Sequence, residues 1–211
     1  MTVTTSPELQ RAIDSIAVPG IMVAHRLIAE GDEMALLPEE RGAFAGSVVK
    51  VRRASGAARI VARELLRGLG QDGGPIPRSS AGPPVWPRGI VGSLAHDSRV
   101  AVAAVAMQRD FSSVGIDVEP AEALDADLLP IVATAQERAR IQDDPLGGRL
   151  LFAVKEAVYK AVYPLDGVFL DHEDVDVNLR DGVAVVRNAR PLHFRYCIAM
   201  HVVALAFVPG P

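Results

Sequence analysis

Cysteine and long apolar runs are scarce in this chain of 211 residues, and each scarcity excludes a class of protein. The single cysteine, Cys197, excludes a disulfide framework and a zinc site built from several cysteines. Because it lies in an apolar run, a small buried residue is favoured over a reactive thiol. No run of about 18 uninterrupted apolar residues exists, so no membrane-spanning helix is predicted. The polar segment 1–10 lacks the apolar centre of a signal peptide, and we therefore expect a cytoplasmic protein.

Excess positive charge is also lacking, which argues against nucleic acid as a partner. The formal net charge is −4 at pH 7, so the chain as a whole has no electrostatic attraction to a polyanion. The hydrophobic share of 49% is enough to bury a core in one large domain or two small ones.

Strands and helices are predicted to recur in two similar groups along the chain. Strands are predicted at 21–28, 100–107, 114–119, 168–179, 183–187 and 194–208, and helices at 44–69, 127–141 and 146–162, the last ended by Pro164. The segment 71–89, rich in proline and glycine, is predicted to be a long loop of the kind that often carries function. The polar connector 108–113 divides the chain into halves of residues 1–110 and 111–211. Strands grouped apart from helices favour an α+β fold over a doubly wound sheet.

Lysine is scarce as well, and two of the three lysines fall in one six-residue stretch. Lys155 and Lys160 lie in an otherwise apolar helical pattern, with Glu156 between them. Charged side chains among apolar residues need partners, which makes the pair a candidate for binding phosphate. The alternative is a basic stripe whose side chains reach solvent along an amphipathic helix.

Two acids lie near the end of the predicted strand 114–119. The spacing of Asp117 and Glu119 places both carboxylates on one face of that strand. Together with Glu156 they form an oxygen-only set of donors, which favours Mg²⁺ or Mn²⁺ over zinc. The alternative is a strand end with solvated acids.

Three arginines fall on one side of the first long helix. At ~100° per residue, Arg52, Arg59 and Arg63 lie within about 40° of one another. Guanidinium groups bind phosphate in a bidentate manner, although a solvated helix face fits the pattern equally well. His96 follows Gly92 and Ser93 and is a candidate anion ligand or acid/base, although a lone histidine is more often structural.

The order of these motifs resembles the 4′-phosphopantetheinyl transferases. The similarity is to the monomeric type that activates polyketide, non-ribosomal peptide and siderophore synthases, and it covers about residues 35–180. The motifs that carry it are the segments 92–96, 114–120 and 152–160, supported by 37–40, 59–63 and 86–89. Ala95 and Val51 depart from the pattern, because a hydroxyl residue and a basic residue are usual at these positions.

The resemblance implies two similar α+β halves related by a pseudo-twofold axis, with coenzyme A in the cleft between them. It implies that Asp117, Glu119 and Glu156 hold Mg²⁺, with Mn²⁺ as an alternative. By motif position, the contacts to coenzyme A would come from Arg52, Arg59, Arg78, Ser93, His96, Lys155 and Lys160, and the catalytic residues would be Glu156, Lys160 and His96.

The activity that the resemblance implies is transfer of the 4′-phosphopantetheine arm of coenzyme A to a serine of an acyl or peptidyl carrier protein. Adenosine 3′,5′-bisphosphate would be released, and the enzyme would act as a monomer without a membrane or nucleic acid. A non-catalytic module that binds coenzyme A or a carrier protein is the alternative. An unrelated Mg²⁺-dependent phosphohydrolase is a third reading, which the order of the motifs disfavours. The retained acids and lysines favour the transferase, because binding alone would not need them all.

Overall fold

The structure is a computed structural model that describes residues 4–142, 144–187 and 190–210. Its helices are α1 (Pro7–Ser15), α2 (Pro38–Arg41), α3 (Val49–Gly68), α4 (Leu129–Val132), α5 (Ala135–Ile141) and α6 (Gly147–Asp166). Its strands are β1 (Ile21–Leu27), β2 (Ile90–His96), β3 (Val100–Met107), β4 (Phe111–Pro120), β5 (Val175–Asn178), β6 (Val183–Val186), β7 (Arg190–Ile198) and β8 (His201–Pro209). Within the described ranges, no helix combines the length and the apolar character needed to cross a membrane.

Two antiparallel sheets pack against each other, and each carries one long helix. The first sheet has the strand order β1-β3-β2 and packs against α3, whereas the second has the order β4-β8-β7-β6-β5 and packs against α6. Apolar side chains of α1, β3, β4 and β8 form a core that the two sheets share. The predicted α+β class is confirmed. The division into residues 1–110 and 111–211 stays a prediction, because the shared core draws on both parts.

Strand β4 sends alternate side chains to two different layers of the protein. Val114 and Ile116 enter the core between the sheets. Asp117 and Glu119 each contact a side chain of α6 on the other face, which confirms that the two acids share a face. Gly115 lies on that same face, where a Cβ atom would collide with a backbone carbonyl of α6. The glycine therefore lets the helix approach the strand closely enough for these contacts.

Several boundaries differ from the predictions. Helix α6 continues through Pro164 and ends where Gly167 adopts a left-handed φ of 69°, because a proline in the last turn removes only one helical hydrogen bond. The predicted strand 194–208 is a hairpin of β7 and β8. Only the end of the predicted strand 168–179 forms a strand, β5, and α3 begins at Val49 rather than Phe44. Helix α1 and strand β2 were not predicted.

A completely buried glutamate, Glu40, joins three segments of the first half. It is the third residue of α2, and its Oε2 accepts a hydrogen bond from the backbone N–H of Leu37 at the helix start, at 2.8 Å. Its Oε1 accepts from Arg63 of α3 at 2.9 Å and from the backbone N–H of Ile76 at 2.7 Å. One carboxylate thus connects α2, α3 and the loop that follows α3.

The second half contains the same device. Glu137 is the third residue of α5, is completely buried, and accepts from the backbone N–H of Thr134 at 2.8 Å. Lys155 of α6 donates to it at 2.8 Å, and the backbone N–H of Val177 in β5 donates at 2.9 Å. In both halves, a glutamate at the start of a short helix pairs with a cation of the long helix and with the chain beyond it. This correspondence supports the predicted similarity of the halves.

Candidate active site

A cleft of about 750 Å³ lies between the two halves. Its first wall comes from α3, the proline-rich loop and β2, and its second from the start of β4 and the end of α6. Five of the predicted site residues line it: Arg59, Arg78, Ser93, His96 and Lys160. The structure therefore gathers the predicted phosphate-binding groups of both halves around one cavity.

One end of the cleft carries surplus positive charge. Arg59 is 4% exposed, stacks over the Phe44 ring at 5.0 Å, and lies 3.6 Å from Glu40, the buried acid of this region. Burial lowers the pKa of Arg59, Glu40 opposes this shift, and the neighbouring charges of Arg63 and Arg78 lower it further. Arg59 and Arg63 thus share one carboxylate, and the charge of Arg78 acts on Arg59 as well, an arrangement suited to a phosphate.

The floor of the cleft is strand β2. A Cβ atom at Gly92 would lie 2.6 Å from the Trp86 ring, so glycine is required for the loop to pack on the strand. At the end of the strand, neighbouring protein atoms displace water from the His96 ring, and this desolvation lowers its pKa. The nearby charge of Lys160 lowers the pKa further. His96 is followed by Asp97, whose Oδ1 accepts from the backbone N–H of Val100 at 2.6 Å and closes the turn to β3.

The opposite end of the cleft leads to the acids of β4. Lys160 donates to Oδ1 of Asp117 at 2.6 Å, whereas Oδ2 of Asp117 is buried without a partner among the described residues. Burial raises the pKa of Asp117, Lys160 opposes the rise, and the nearby carboxylate of Glu156 adds to it. Glu119 accepts from Arg149 at 2.8 Å, and burial raises its pKa.

The predicted metal ligands agree in chemistry with a hard divalent cation but are not gathered into a site. Among the described residues, no group of three or more His, Cys, Asp or Glu side chains is arranged to hold a metal ion. Arg149 and Lys160 instead occupy one oxygen each of Glu119 and Asp117. The partnerless oxygen of Asp117 is the feature that fits a cation, because a buried carboxylate oxygen needs a positive or donating partner.

Comparisons with known proteins agree with this geometry. A model of the 4′-phosphopantetheinyl transferase N-terminal domain matches residues 39–106, and a model of the 4′-phosphopantetheinyl transferase superfamily matches residues 113–206. The 4′-phosphopantetheinyl transferase Npt of Nocardia iowensis is 38% identical over 177 residues, which cover 82% of this chain and 79% of that protein. The chain belongs to the 4′-phosphopantetheinyl transferase family.

Two further relatives of the transferase match over shorter stretches. The 4′-phosphopantetheinyl transferase Svp of Streptomyces mobaraensis is 38% identical over 156 residues, 71% of this chain and 63% of that protein. The 4′-phosphopantetheinyl transferase PptT of Mycobacterium tuberculosis is 38% identical over 145 residues, 67% of this chain and 64% of that protein.

The structure corrects the expected position of Lys155. This lysine of the transferase is 2% exposed, does not line the cleft, and donates to Glu137 and to the carbonyl oxygen of His172 at 2.7 Å. Along α6 it lies five residues from Lys160, a separation of about 140° around the helix, so the two lysines point to different layers. Lys155 is the counterpart of Arg63 in the fold, and its ammonium group is already paired with a buried carboxylate.

Replacing Lys155 by methionine is expected to destabilise the transferase by about 3–5 kcal/mol, because Glu137 would keep a buried charge without its cation. Denaturant unfolding measures this loss. For coenzyme A, titration calorimetry on the folded variant should give the same dissociation constant as the parent protein has. A stable variant with weak coenzyme A binding would instead support the phosphate role.

Arg52 also stands apart from the lining of the cleft. Its Nη1 donates to the carbonyl oxygen of Ser47, just before α3. The three arginines predicted to lie on one side of α3 therefore have different partners. Arg59 lines the cleft, Arg63 is paired with Glu40, and Arg52 is bound to the backbone that precedes the helix.

Residues that the sequence interpretation missed complete the cleft and its surroundings. Tyr163 supplies an aromatic wall, while Arg149 pairs with Glu119. The spacing of Tyr163 from Lys160, at i and i+3 on a helix, was a signal that could have placed it at the cleft. Arg149 offered no comparable signal, because its partner lies thirty residues away in the chain.

Proposed function

We propose that this transferase moves the 4′-phosphopantetheine arm of coenzyme A to a serine of an acyl or peptidyl carrier protein, with Mg²⁺ or Mn²⁺ as the cation. The observation that carries the proposal is the cleft, which has surplus arginine charge at one end and Lys160 beside a partnerless Asp117 oxygen at the other. A molecule with a terminal phosphate and a diphosphate matches both ends.

Coenzyme A would place its 3′-phosphate near Arg59 and Arg78 and its diphosphate near Ser93, His96 and Lys160. These side chains all line the cleft. A charge-assisted hydrogen bond contributes about 1.5–3 kcal/mol, so a few such contacts suffice to hold the ligand despite the negative charge of the whole chain.

The carboxylates of Asp117, Glu119 and Glu156 would hold the cation, which supplies neutralisation of the diphosphate charge when bound. Glu156 would accept the proton of the acceptor serine, which is a weak nucleophile without a base. The serine oxygen would form a bond to the phosphorus that bears the pantetheine arm. The bond from that phosphorus to the bridging oxygen would break. Lys160 would stabilise the negative charge on the leaving adenosine 3′,5′-bisphosphate.

A non-catalytic module that binds coenzyme A or a carrier protein is the alternative. Chromatography of the nucleotide products separates the two proposals, because only transfer converts coenzyme A to adenosine 3′,5′-bisphosphate in step with modification of the carrier. We also propose that the enzyme is cytoplasmic and acts as a monomer. Sedimentation at working concentration tests the monomer.

Arg59→Ala is expected to weaken binding of coenzyme A by about tenfold or more, the scale of one or more charge-assisted contacts to phosphate. Dephospho-coenzyme A lacks the 3′-phosphate, so its affinity should change little. Titration calorimetry with both ligands measures the two dissociation constants. A variant that distinguishes the ligands as well as the parent does would refute the assignment of Arg59 to the 3′-phosphate.

The carrier protein is proposed to dock on the second half, beside the end of α6. Phe169 is 73% exposed, and its ring lies 5.4 Å from the Tyr159 ring at the cleft. Leu128 and Ile131 are exposed as well, on the segment that includes α4. An exposed aromatic ring beside a reaction cleft suits a protein partner whose serine must enter that cleft, and exposed apolar side chains elsewhere on the second half can extend the contact.

Phe169→Ser should therefore raise the KM for the carrier protein by about tenfold, as expected for an aromatic anchor at an interface, without changing the affinity for coenzyme A. Met34→Ser is the matched control, because Met34 is 75% exposed and lies in the first half. Equal effects of the two substitutions on KM, or crosslinks from the carrier serine that reach only residues 1–40, would contradict this docking site.

A further inference from the structure

Glu40 is connected to Arg59, a residue of the cleft, by way of Ile76. The N–H of Ile76 donates to Oε1 of Glu40 at 2.7 Å, and the carbonyl oxygen of Ile76 accepts from Nε of Arg59 at 2.9 Å. Nε of Arg59 also lies 3.6 Å from Oε1 of Glu40. The glutamate thus acts on Arg59 both through this residue and through direct electrostatic attraction.

Arg59 is held firmly on its inner side. Besides the bond to Ile76, its Nη1 donates to the carbonyl oxygen of Ser55 at 3.2 Å, one turn earlier on α3. Nη2 donates to no acceptor within the described part of the chain. Because Nε and Nη1 are bound to the protein, the guanidinium plane is fixed before any ligand arrives, which reduces the entropy lost on binding.

We propose that Glu40 is a positioning residue, which orients Arg59 for the terminal phosphate of coenzyme A without touching the ligand. This inference rests on the proposed function of Arg59. Glu40 is completely buried and receives a hydrogen bond from Arg63 as well. Contacts with α2, α3 and the loop that follows α3 therefore all fix the position of its carboxylate. Movement of its carboxylate would release Ile76 and with it the inner anchor of Arg59.

The second half supplies an internal control. Glu137 has the same burial and the same three kinds of partner as Glu40. Among the described residues its one salt bridge is to Lys155, whereas Glu40 also lies 3.6 Å from Arg59, which lines the cleft. A substitution that weakens the hydrogen bonds of Glu137 therefore shows how the loss of such bonds changes the stability of the protein alone. The same substitution at Glu40 should change the stability and, in addition, the position of Arg59.

The test uses Glu40→Asp and Glu137→Asp in the full chain. Aspartate keeps the negative charge but is one methylene shorter, so it cannot reach the start of its own helix and the long helix together. Titration calorimetry measures the ratio of the dissociation constants for dephospho-coenzyme A and coenzyme A. This ratio does not depend on the fraction of protein that is active, and thermal unfolding reports the stability of each variant.

The expected result is a ratio reduced by about fivefold or more in Glu40→Asp, the scale of a weakened charge-assisted contact, and a parental ratio in Glu137→Asp. If Glu40→Asp does not fold, Arg63→Lys loosens the same carboxylate from the other side with its charge kept, and should reduce the ratio in the same direction. A parental ratio in the folded Glu40 variant, or an equal reduction in both aspartate variants, would overturn the inference. A parental ratio in Arg59→Ala would overturn the phosphate assignment beneath it.

Discussion

Glu156→Gln is expected to lower the rate of carrier modification by about 10²-fold or more, the contribution of a positioned general base. Glu156 is half-buried on α6, near Asp117 of β4, and its charge contributes to the raised pKa of Asp117. Glutamine has the same shape and keeps an oxygen donor, but it cannot accept the serine proton. The loss should therefore appear in kcat, while coenzyme A still binds in the presence of Mg²⁺.

The rate is measured by mass spectrometry of the carrier protein at saturating coenzyme A, and coenzyme A binding by calorimetry in the same buffer. Near-parental turnover by the glutamine variant would remove Glu156 from the role of base and favour water as the proton acceptor. The Lys155→Met variant is a useful companion, because it alters the neighbouring position on α6 but should keep the rate of the folded protein.

Lys160→Met should lower turnover by about 10²-fold, because it removes a charge that stabilises the leaving group. The same substitution should strengthen the binding of Mn²⁺ to the protein without coenzyme A. The ammonium of Lys160 now lies 2.6 Å from Asp117, where it competes with any cation for that carboxylate. In this one variant, turnover is thus expected to fall while the affinity for Mn²⁺ rises.

Mn²⁺ binding is followed by electron paramagnetic resonance of the free ion. Lys50→Met is the matched control, since Lys50 is an exposed lysine at the start of α3, and neither quantity should change in it. Weaker Mn²⁺ binding by Lys160→Met would show that Lys160 supports the cation site rather than competing for it.

The sequence was sufficient to predict the acid face of β4 and the α+β class, because strand alternation and the grouping of elements are local patterns. It was also sufficient to predict that Lys155 needs a partner. It was not sufficient to separate the roles of Lys155 and Lys160, because that requires Glu137, which lies in a different helix. The helical period does carry one signal, because Lys155 shares a buried face of α6 with Leu151 and Val158.

Long-range contacts account for the other differences. Strand β2 was not predicted because Gly92 and Ser93 are residues typical of turns, yet Gly92 is needed for the packing of Trp86. The division of the arginine stripe on α3 depends on Glu40, whose partner Ile76 lies 36 residues further along the chain. Such pairings follow from the fold and are not encoded in the spacing of residues along one helix.

The most direct test of the central claim is the intact mass of a carrier protein after incubation with this chain, coenzyme A and Mg²⁺. The account predicts that the mass rises by one phosphopantetheinyl group, that a carrier variant with alanine at the acceptor serine stays unmodified, and that a chelator prevents the change. A carrier protein of unchanged mass, although the chain is folded and binds coenzyme A, would contradict the account and leave the non-catalytic module in its place.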